Sequence, residues 1–188
     1  MGEHVILFAG PMGAGKTTAI STLSEIPVVS TEADNSERDV VDKATTTIAL
    51  DYGEITISED EKVRLYGVPG QRRFDFMWSI LKERARGLVL LVNNDAADPV
   101  ALALEYLASF EELVAARTVV LGVTRTDEAP EPGLALYRAA LSSAWPGAMI
   151  PVLSVDPRKT GQMHTALLML VAIIDAEAGI PTNSELST

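Results

Sequence analysis

The chain has 188 residues, 47% of them hydrophobic and 22% charged, and its formal net charge is −11. These values predict one globular domain with a sizeable core, and they argue against disorder and low complexity. Cysteine is absent, which excludes disulfides, thiolate metal sites and a cysteine nucleophile. Because residues 166–174 form the longest apolar run, far short of the about 20 residues of a membrane span, we expect a cytoplasmic protein without a membrane span.

Charge is distributed unevenly along the chain. Residues 25–61 hold eleven acidic and two basic side chains, whereas residues 62–86 hold seven basic and two acidic ones. An acidic chain without a broad basic stripe is a poor nucleic-acid binder, so we expect no nucleic-acid partner. The acidic segment is either a solvated face or a docking segment that attracts a basic partner.

Short apolar runs alternate with helical patterns. Strands are predicted over residues 4–9, 47–51, 62–66, 88–93, 118–123 and 149–153, with a turn region between residues 51 and 62. Helices are predicted over residues 15–24, 74–86, 99–114, 134–143 and 160–177, followed by a polar tail over 182–188. This alternation predicts a single α/β domain over residues 1–181, with six mostly parallel strands and helices on both faces. Ligands of such sheets bind at the carboxyl ends of the strands.

The loop after the first predicted strand carries the strongest chemical signal. Residues 10–17, Gly-Pro-Met-Gly-Ala-Gly-Lys-Thr, match the pattern G-x-x-x-x-G-K-[ST] without exception. Backbone N–H groups of such a loop point at phosphate oxygens, and the following helix adds the positive end of its dipole. Lys16 is expected to reach the β- and γ-phosphates and the Thr17 hydroxyl to reach Mg²⁺. The alternative is a glycine turn with an incidental lysine. The pattern predicts a three-layer P-loop NTPase sandwich.

Four further segments resemble motifs of one known family and occur in the same order along the chain. Residues 68–71, Val-Pro-Gly-Gln, resemble the D-x-x-G-Q segment of Ras-like GTPases, and residues 124–127, Thr-Arg-Thr-Asp, resemble their N/T-K-x-D guanine motif. Residues 47–51 are similar to T-I-G-V-D of the first switch, and residues 154–156 lie where the family carries S-A-K. Together with the P-loop (residues 10–17), these segments resemble bacterial and archaeal Ras-like GTPases, near the gliding-motility (MglA-like) branch.

The resemblance implies a small GTPase that binds and hydrolyses GTP with Mg²⁺ and acts as a switch for partner proteins. Gln71 then orients the attacking water. Asp127 selects guanine, because its carboxylate can accept hydrogen bonds from N1–H and the exocyclic amine, which adenine does not offer. The expected nucleotide-binding residues are Gly10, Gly13, Ala14, Gly15, Lys16, Thr17, Thr18, Thr47, Gly70, Thr124, Arg125, Asp127, Ser154 and Val155. The expected metal ligands are Thr17 and Thr47, with Thr46 as the alternative to Thr47.

Three positions depart from the family's pattern. Gly67 stands where the family has an aspartate that holds Mg²⁺ through water, a residue that the gliding-motility branch also lacks. Arg125 replaces the usual lysine, and its stem can still lie over a base. Asp156 replaces the lysine of S-A-K. These departures keep open a guanine-nucleotide-binding scaffold that does not hydrolyse.

Met12 is a fourth departure, because many Ras-like proteins have glycine at this place. A methionine side chain there crowds an arginine finger supplied by an activator. We therefore expect that any catalytic arginine comes from this chain, with Arg38 the first candidate and Arg72 and Arg73 the next. Lys16 and Gln71 are the other expected catalytic residues.

Partner proteins are expected at residues 28–47 and 67–81, the two predicted switch segments. Residues 74–81 are apolar nearly all round a helix, which is typical either of a core helix or of an interface. Relatives of this kind work with small roadblock-type proteins, so the resemblance implies such a regulatory or effector partner. The alternative class is a small-molecule kinase, because the P-loop also resembles that of shikimate kinases. Their D-x-D, Gly-Gly-Gly turn and R-x-x-x-R lid are missing here.

Overall fold

The protein is described by a computed structural model that covers residues 2–30, 51–59, 61–70 and 81–179. The strands of this part are β1 (Gly2–Ala9), β2 (Val29–Ser30), β3 (Asp51–Ser58), β4 (Glu61–Gly67), β5 (Gly87–Asn93), β6 (Val119–Thr124) and β7 (Val152–Ser154). Its helices are α1 (Lys16–Leu23), α2 (Pro99–Ala108), α3 (Glu111–Ala115), α4 (Leu134–Ala144) and α5 (Thr160–Gly179). The strands form one sheet in the order β2-β3-β4-β1-β5-β6-β7.

The sheet is mostly parallel, as predicted. β4, β1, β5, β6 and β7 pair in parallel, whereas β3 runs antiparallel to both of its neighbours. Five of the strands, β1, β4, β5, β6 and β7, overlap predicted strands, whereas β3 lies mostly in the predicted turn region and the two-residue β2 extends the edge beside it. The predicted P-loop NTPase sandwich is therefore confirmed.

The core lies in two layers, one on each face of the sheet. Val89 and Leu91 of β5 pack in the same cluster as Ile20 of α1 and Leu167 of α5. The alternate residues of β5, with side chains of α2, α3 and α4, form the second cluster. Successive side chains of a strand point to opposite faces, which explains why the central strands are apolar throughout rather than alternating.

The region predicted as a turn between residues 51 and 62 is strand β3, so this prediction was wrong. Cross-strand pairs with β4 account for the strand: the rings of Tyr52 and Tyr66 lie 5.0 Å apart, and Glu54 forms an ion pair with Lys62. Such pairs stabilise neighbouring strands even where the composition is polar.

Two other boundaries differ from prediction. The helix predicted over 99–114 is two helices, α2 and α3, because the chain turns at Ser109 and inserts Phe110 fully into the core. The strand predicted over 149–153 begins only at Val152, and Met149 is 86% exposed. Residues 47–50 and 71–80 and the predicted tail lie outside the described residues. Within the described ranges, no helix combines the length and apolar character that crossing a membrane requires.

Candidate functional site: a cavity at the carboxyl edge of the sheet

The P-loop curls at three glycines that have positive φ angles, 139° at Gly10, 81° at Gly13 and 97° at Gly15. A Cβ atom added to Gly10 would lie 2.0 Å from the Leu91 carbonyl oxygen, and one added to Gly15 would lie 2.6 Å from Cγ of Pro157. Both backbone conformation and space therefore demand glycine at these two positions. Helix α1 begins at Lys16, so the loop leads directly into a helix N-terminus, the arrangement that favours bound anions.

The Lys16 ammonium is held over the P-loop by two backbone oxygens. It donates hydrogen bonds of 2.8 Å to the carbonyls of Gly10 and of Pro11. An ammonium has three N–H donors, so a further donor remains for a phosphate oxygen. Burial lowers the pKa of Lys16 to about 8, and the carboxylate of Asp51 acts in the opposite sense. Lys16 is therefore mostly protonated at neutral pH.

Thr17, the predicted metal ligand, is exposed at the start of α1. Its hydroxyl donates a hydrogen bond to Oδ2 of Asp51, the first residue of β3. A hydroxyl oxygen and a carboxylate are ligands of the kind that Mg²⁺ prefers, so these donors fit the ion that the resemblance implies. Asp51 was not predicted as a site residue, although it ends the segment that is similar to the first switch.

A cavity of about 180 Å³ lies beside the P-loop. It is lined by Gly13, Ala14, Gly15, Thr18, Thr124, Arg125, Asp127, Glu128, Asp156, Pro157 and Arg158. The cavity thus brings together predicted site residues from the P-loop and from the segment after β6. It also lies at the carboxyl ends of the strands, where α/β sheets bind their ligands.

Arg125 links the two sides of this cavity. Its guanidinium donates hydrogen bonds to Oδ2 of Asp95 at 2.6 Å and to the carbonyl oxygen of Gly13 at 3.0 Å. Asp95 follows β5, and hydrogen bonds from Asn93 and then from Arg125 lower its pKa. Arg125 has a φ angle of 59°, in the left-handed region that non-glycine residues seldom adopt. The substitution of arginine for lysine therefore gives a contact that holds the P-loop to the neighbouring loops.

The loop that follows β6, called here the 124–133 loop, carries Asp127 and is anchored by a buried asparagine. Nδ2 of Asn94 donates hydrogen bonds to the carbonyl oxygens of Ala129 at 2.6 Å and Pro132 at 3.2 Å. The Tyr137 hydroxyl donates to Oδ1 of Asn94 at 2.7 Å, and burial raises the pKa of Tyr137 to about 12. Asn94 and Tyr137 were missed by sequence reasoning, because no motif marks them.

The segment after β7 differs from the expectation for a guanine site. Ser154 shares a 2.5 Å hydrogen bond with Thr126, and the Val155 N–H donates to the Val123 carbonyl oxygen at 3.0 Å. The Val155 amide is thus engaged in the sheet, and Asp156 lines the cavity in place of Ser154 and Val155. Hydrogen bonds from Arg158 lower the pKa of Asp156 to about 2.

Gly70 packs against the P-loop. A Cβ atom at Gly70 would lie 2.7 Å from the Met12 amide nitrogen and 2.9 Å from the Gly10 carbonyl oxygen. The Tyr106 hydroxyl donates a 2.9 Å hydrogen bond to the Gly70 carbonyl oxygen. Tyr106, on α2, was not predicted, and it fixes the backbone at Gly70, within the segment 67–81 that was predicted as the second switch.

Several predicted residues lie outside the described part of the chain. They are Arg38, Thr46, Thr47, Gln71, Arg72 and Arg73. Most of the two segments predicted to bind partners, 28–47 and 67–81, lies there too.

Residues 8–128 match the family model described as "Conserved hypothetical ATP binding protein". The chain belongs to this family. It is also similar to "Uncharacterized protein MJ1339" of Methanocaldococcus jannaschii, with 33% identity over 90 residues, 47% of this chain. The match covers 51% of that relative, so the chain spans about half the length of the curated relative it matches. The family and the P-loop make this chain a nucleotide-binding P-loop protein.

Two solved structures share the fold. The Arl6 (BBS3) small GTPase of Trypanosoma brucei, with the nucleotide analogue GppNp, superposes with a TM-score of 0.69 at 11% identity, over 94% of this chain and 99% of that one. The G domain of the FeoB iron transporter of T. maritima has a TM-score of 0.56 at 19% identity, over 94% and 99%. At these identities the likeness shows the fold alone, a P-loop NTPase α/β fold.

Proposed function

We propose that the protein is a guanine-nucleotide switch that binds GTP and GDP with Mg²⁺ and hydrolyses GTP. The observation that carries the proposal is the shared cavity, since Gly13, Gly15, Arg125 and Asp127 line the same space. A phosphate-binding loop and an exposed carboxylate in one cavity can hold the two ends of one nucleotide.

The P-loop is proposed to bind the phosphates. The N–H groups of residues 13–18 and the Lys16 ammonium supply donors to the phosphate oxygens. Thr17 and Thr47 are proposed to hold Mg²⁺, which when bound neutralises charge on the β- and γ-phosphates. Gln71 is proposed to orient the attacking water, with Arg38 as the arginine that stabilises the transferring phosphoryl group.

Asp127 is proposed to distinguish guanine from adenine. It is exposed in the cavity, on the loop that Asn94 anchors. Its carboxylate would accept hydrogen bonds from N1–H and the 2-amine of guanine, whereas adenine has no donor at either place. Sites that pair polar groups in this way reject a misfit by about 10⁴–10⁵. The family's description names ATP, and this makes an adenine nucleotide the second candidate.

The switch itself is proposed to lie in residues 28–47 and 67–81. Release of γ-phosphate contacts would change the order of these segments and thereby the binding of a regulatory or effector protein, of the roadblock type that the resemblance to the gliding-motility branch implies. Gly70, fixed by Tyr106 beside the P-loop, belongs to the second of these segments. We propose a cytoplasmic setting and a single domain over residues 1–181.

A nucleotide competition titration tests the proposed specificity. Protein with Mg²⁺ is loaded with a fluorescent guanine nucleotide and challenged with GTP, GDP and ATP. The proposal expects displacement by GTP and GDP and none by a large excess of ATP. Preferential displacement by ATP would overturn it and would favour the adenine reading.

Single-turnover hydrolysis separates a GTPase from a scaffold that only binds. The wild-type protein should convert bound GTP to GDP, and Gln71→Leu should bind GTP with nearly unchanged affinity but hydrolyse it more slowly. An unaltered rate in Gln71→Leu removes Gln71 from the mechanism, and no conversion by the wild type, with or without a partner, supports the scaffold.

A further inference from the structure

The magnesium site of this fold has an unexplained substitution at Gly67. Ras-like GTPases outside the gliding-motility branch have an aspartate there, and glycine offers no side-chain ligand. Gly67 is the last residue of β4, and it pairs directly with Asp51 of β3. Because β3 is antiparallel to β4, its first residue lies at the carboxyl edge of the sheet, where the P-loop also lies.

The Asp51 side chain lies close to the space that a side chain at position 67 would need. A Cβ atom added to Gly67 would lie 3.0 Å from Cβ and 3.1 Å from Oδ2 of Asp51, and 3.1 Å from Cδ1 of Ile20 on α1. Directly paired residues on neighbouring strands present their side chains on the same face. A carboxylate from β3 therefore stands beside the place from which a β4 aspartate would project.

Asp51 also makes the contact that a magnesium-supporting carboxylate requires. Its Oδ2 accepts the hydrogen bond of the Thr17 hydroxyl. A hydroxyl that donates its proton to a carboxylate keeps its oxygen lone pairs for a cation. Carboxylates that orient a ligand in this way, or bind the ion's own waters, tune metal affinity without being the closest ligands.

We propose that Asp51 supplies the magnesium-supporting carboxylate of this nucleotide site, from strand β3, in place of the aspartate that Gly67 lacks. The assignment rests on the proposed function in needing a bound nucleotide phosphate and Mg²⁺, but it does not depend on which base is bound. Asp51 is a positioning residue for Thr17 and for the waters of the ion. Glycine at 67 then follows from the position of Asp51, because a side chain there would collide with that carboxylate.

The test measures how free Mg²⁺ slows the release of a fluorescent nucleotide, from excess EDTA upwards. Three variants are compared with the wild type. Asp51→Asn keeps the shape and removes the charge, and Glu59→Gln removes an exposed carboxylate just beyond the far end of β3. The double variant Asp51→Gly/Gly67→Asp moves the carboxylate to β4 and clears the Asp51 atoms from its path.

The expected effect is confined to the magnesium-dependent part of the release rate. In Asp51→Asn, the Mg²⁺ concentration that gives the half-maximal effect should rise about 10–100-fold, as is usual when a supporting partner of a metal ligand is lost. Glu59→Gln should follow the wild type, and the double variant should recover part of the affinity. Binding of Mn²⁺ to the nucleotide complex, followed by electron paramagnetic resonance, gives the same comparison without release kinetics.

Equal Mg²⁺ dependence in Asp51→Asn and the wild type would overturn the assignment, and so would a wild type whose release ignores Mg²⁺. If Asp51→Asn unfolds, the double variant decides: recovered folding without recovered Mg²⁺ affinity also counts against Asp51. Failure of the proposed function is distinguishable, because the wild type would then bind no guanine nucleotide even in EDTA. The titration would in that case be run with a fluorescent adenine nucleotide.

Discussion

The P-loop and the 124–133 loop line the same cavity, but their conformations have different physical causes. In the P-loop, the conformation depends on three glycines of the loop itself that take positive φ angles, and a side chain at Gly10 or Gly15 would collide with Leu91 or Pro157. In the 124–133 loop, the conformation depends on hydrogen bonds from the distant Asn94, whose side chain is held in turn by Tyr137. A local motif therefore predicts the first loop well, whereas it predicts only the position of the second.

Loss of the Lys16 ammonium, which is proposed to bind the phosphates, should have the largest effect on nucleotide affinity. Lys16→Ala removes a charged donor, each of whose hydrogen bonds contributes about 1.5–3 kcal/mol, so nucleotide affinity should fall about 10–150-fold for each hydrogen bond to phosphate that is lost, whatever the base. Isothermal titration with GDP and GTP measures this. Lys62→Ala, which removes an exposed lysine of β4, is the control and should bind normally. Unchanged affinity in Lys16→Ala would refute the P-loop assignment.

Loss of the Asn94 side-chain amide should affect the part of the site that is proposed to bind the base. Asn94→Ala leaves the buried Tyr137 hydroxyl and two carbonyl oxygens without their partner, and unsatisfied buried groups cost about 1–3 kcal/mol each. We expect a lower free energy of unfolding in urea and weaker discrimination between GDP and ADP. Asn93→Ala is the matched control, since Asn93 is half-buried and its side chain, among the contacts described, bonds only to Asp95. Equal stability of the two variants contradicts the anchoring role.

The pH dependence of binding tests Lys16 without changing the loop. Because the pKa of Lys16 is about 8 in the free protein, the ammonium that binds phosphate is lost as pH rises above 8. Affinity for GDP should be constant below that pH and fall up to about tenfold per pH unit above it, measured between pH 7 and 9. The guanidinium of Lys16→Arg stays charged, so its profile should be flat. A flat profile for the wild type argues against a protonated Lys16 as the phosphate donor.

The smallest effect is expected for the contact that fixes Gly70. Tyr106→Phe removes one hydrogen bond, worth about 1 kcal/mol. Because Gly70 precedes Gln71 in the proposed switch, the rate of GTP hydrolysis should change by several-fold while GDP affinity stays close to that of the wild type. Tyr66→Phe, on the neighbouring β4, controls for the loss of a hydroxyl. A change in GDP affinity as large as the change in rate would place Tyr106 in binding instead.

Sequence patterns predicted the parallel core of the fold and the P-loop, because continuous apolar strands and the glycines of the loop can be recognised in short contiguous stretches of sequence. They failed at β3, where cross-strand pairs such as Tyr52 with Tyr66 turn a polar stretch into a strand. They also missed Asn94, Tyr106 and Asp51, whose roles come from partners 34 or more residues away. The Val155 amide was predicted to hold guanine because of the family resemblance, but it donates its hydrogen bond to the Val123 carbonyl oxygen of β6.

The central claim is that Asp127 reads guanine in the cavity beside the P-loop. The most direct measurement is nucleotide competition with Asp127→Asn, using GDP, ADP and xanthosine diphosphate. Xanthine has a carbonyl acceptor where guanine has its 2-amine, so an amide donor at position 127 fits xanthine and a carboxylate fits guanine. The account predicts that the wild type prefers GDP and that Asp127→Asn prefers xanthosine diphosphate. If ADP competes as well as GDP in the wild type, or if the substitution leaves the order of preference unchanged, the account is wrong.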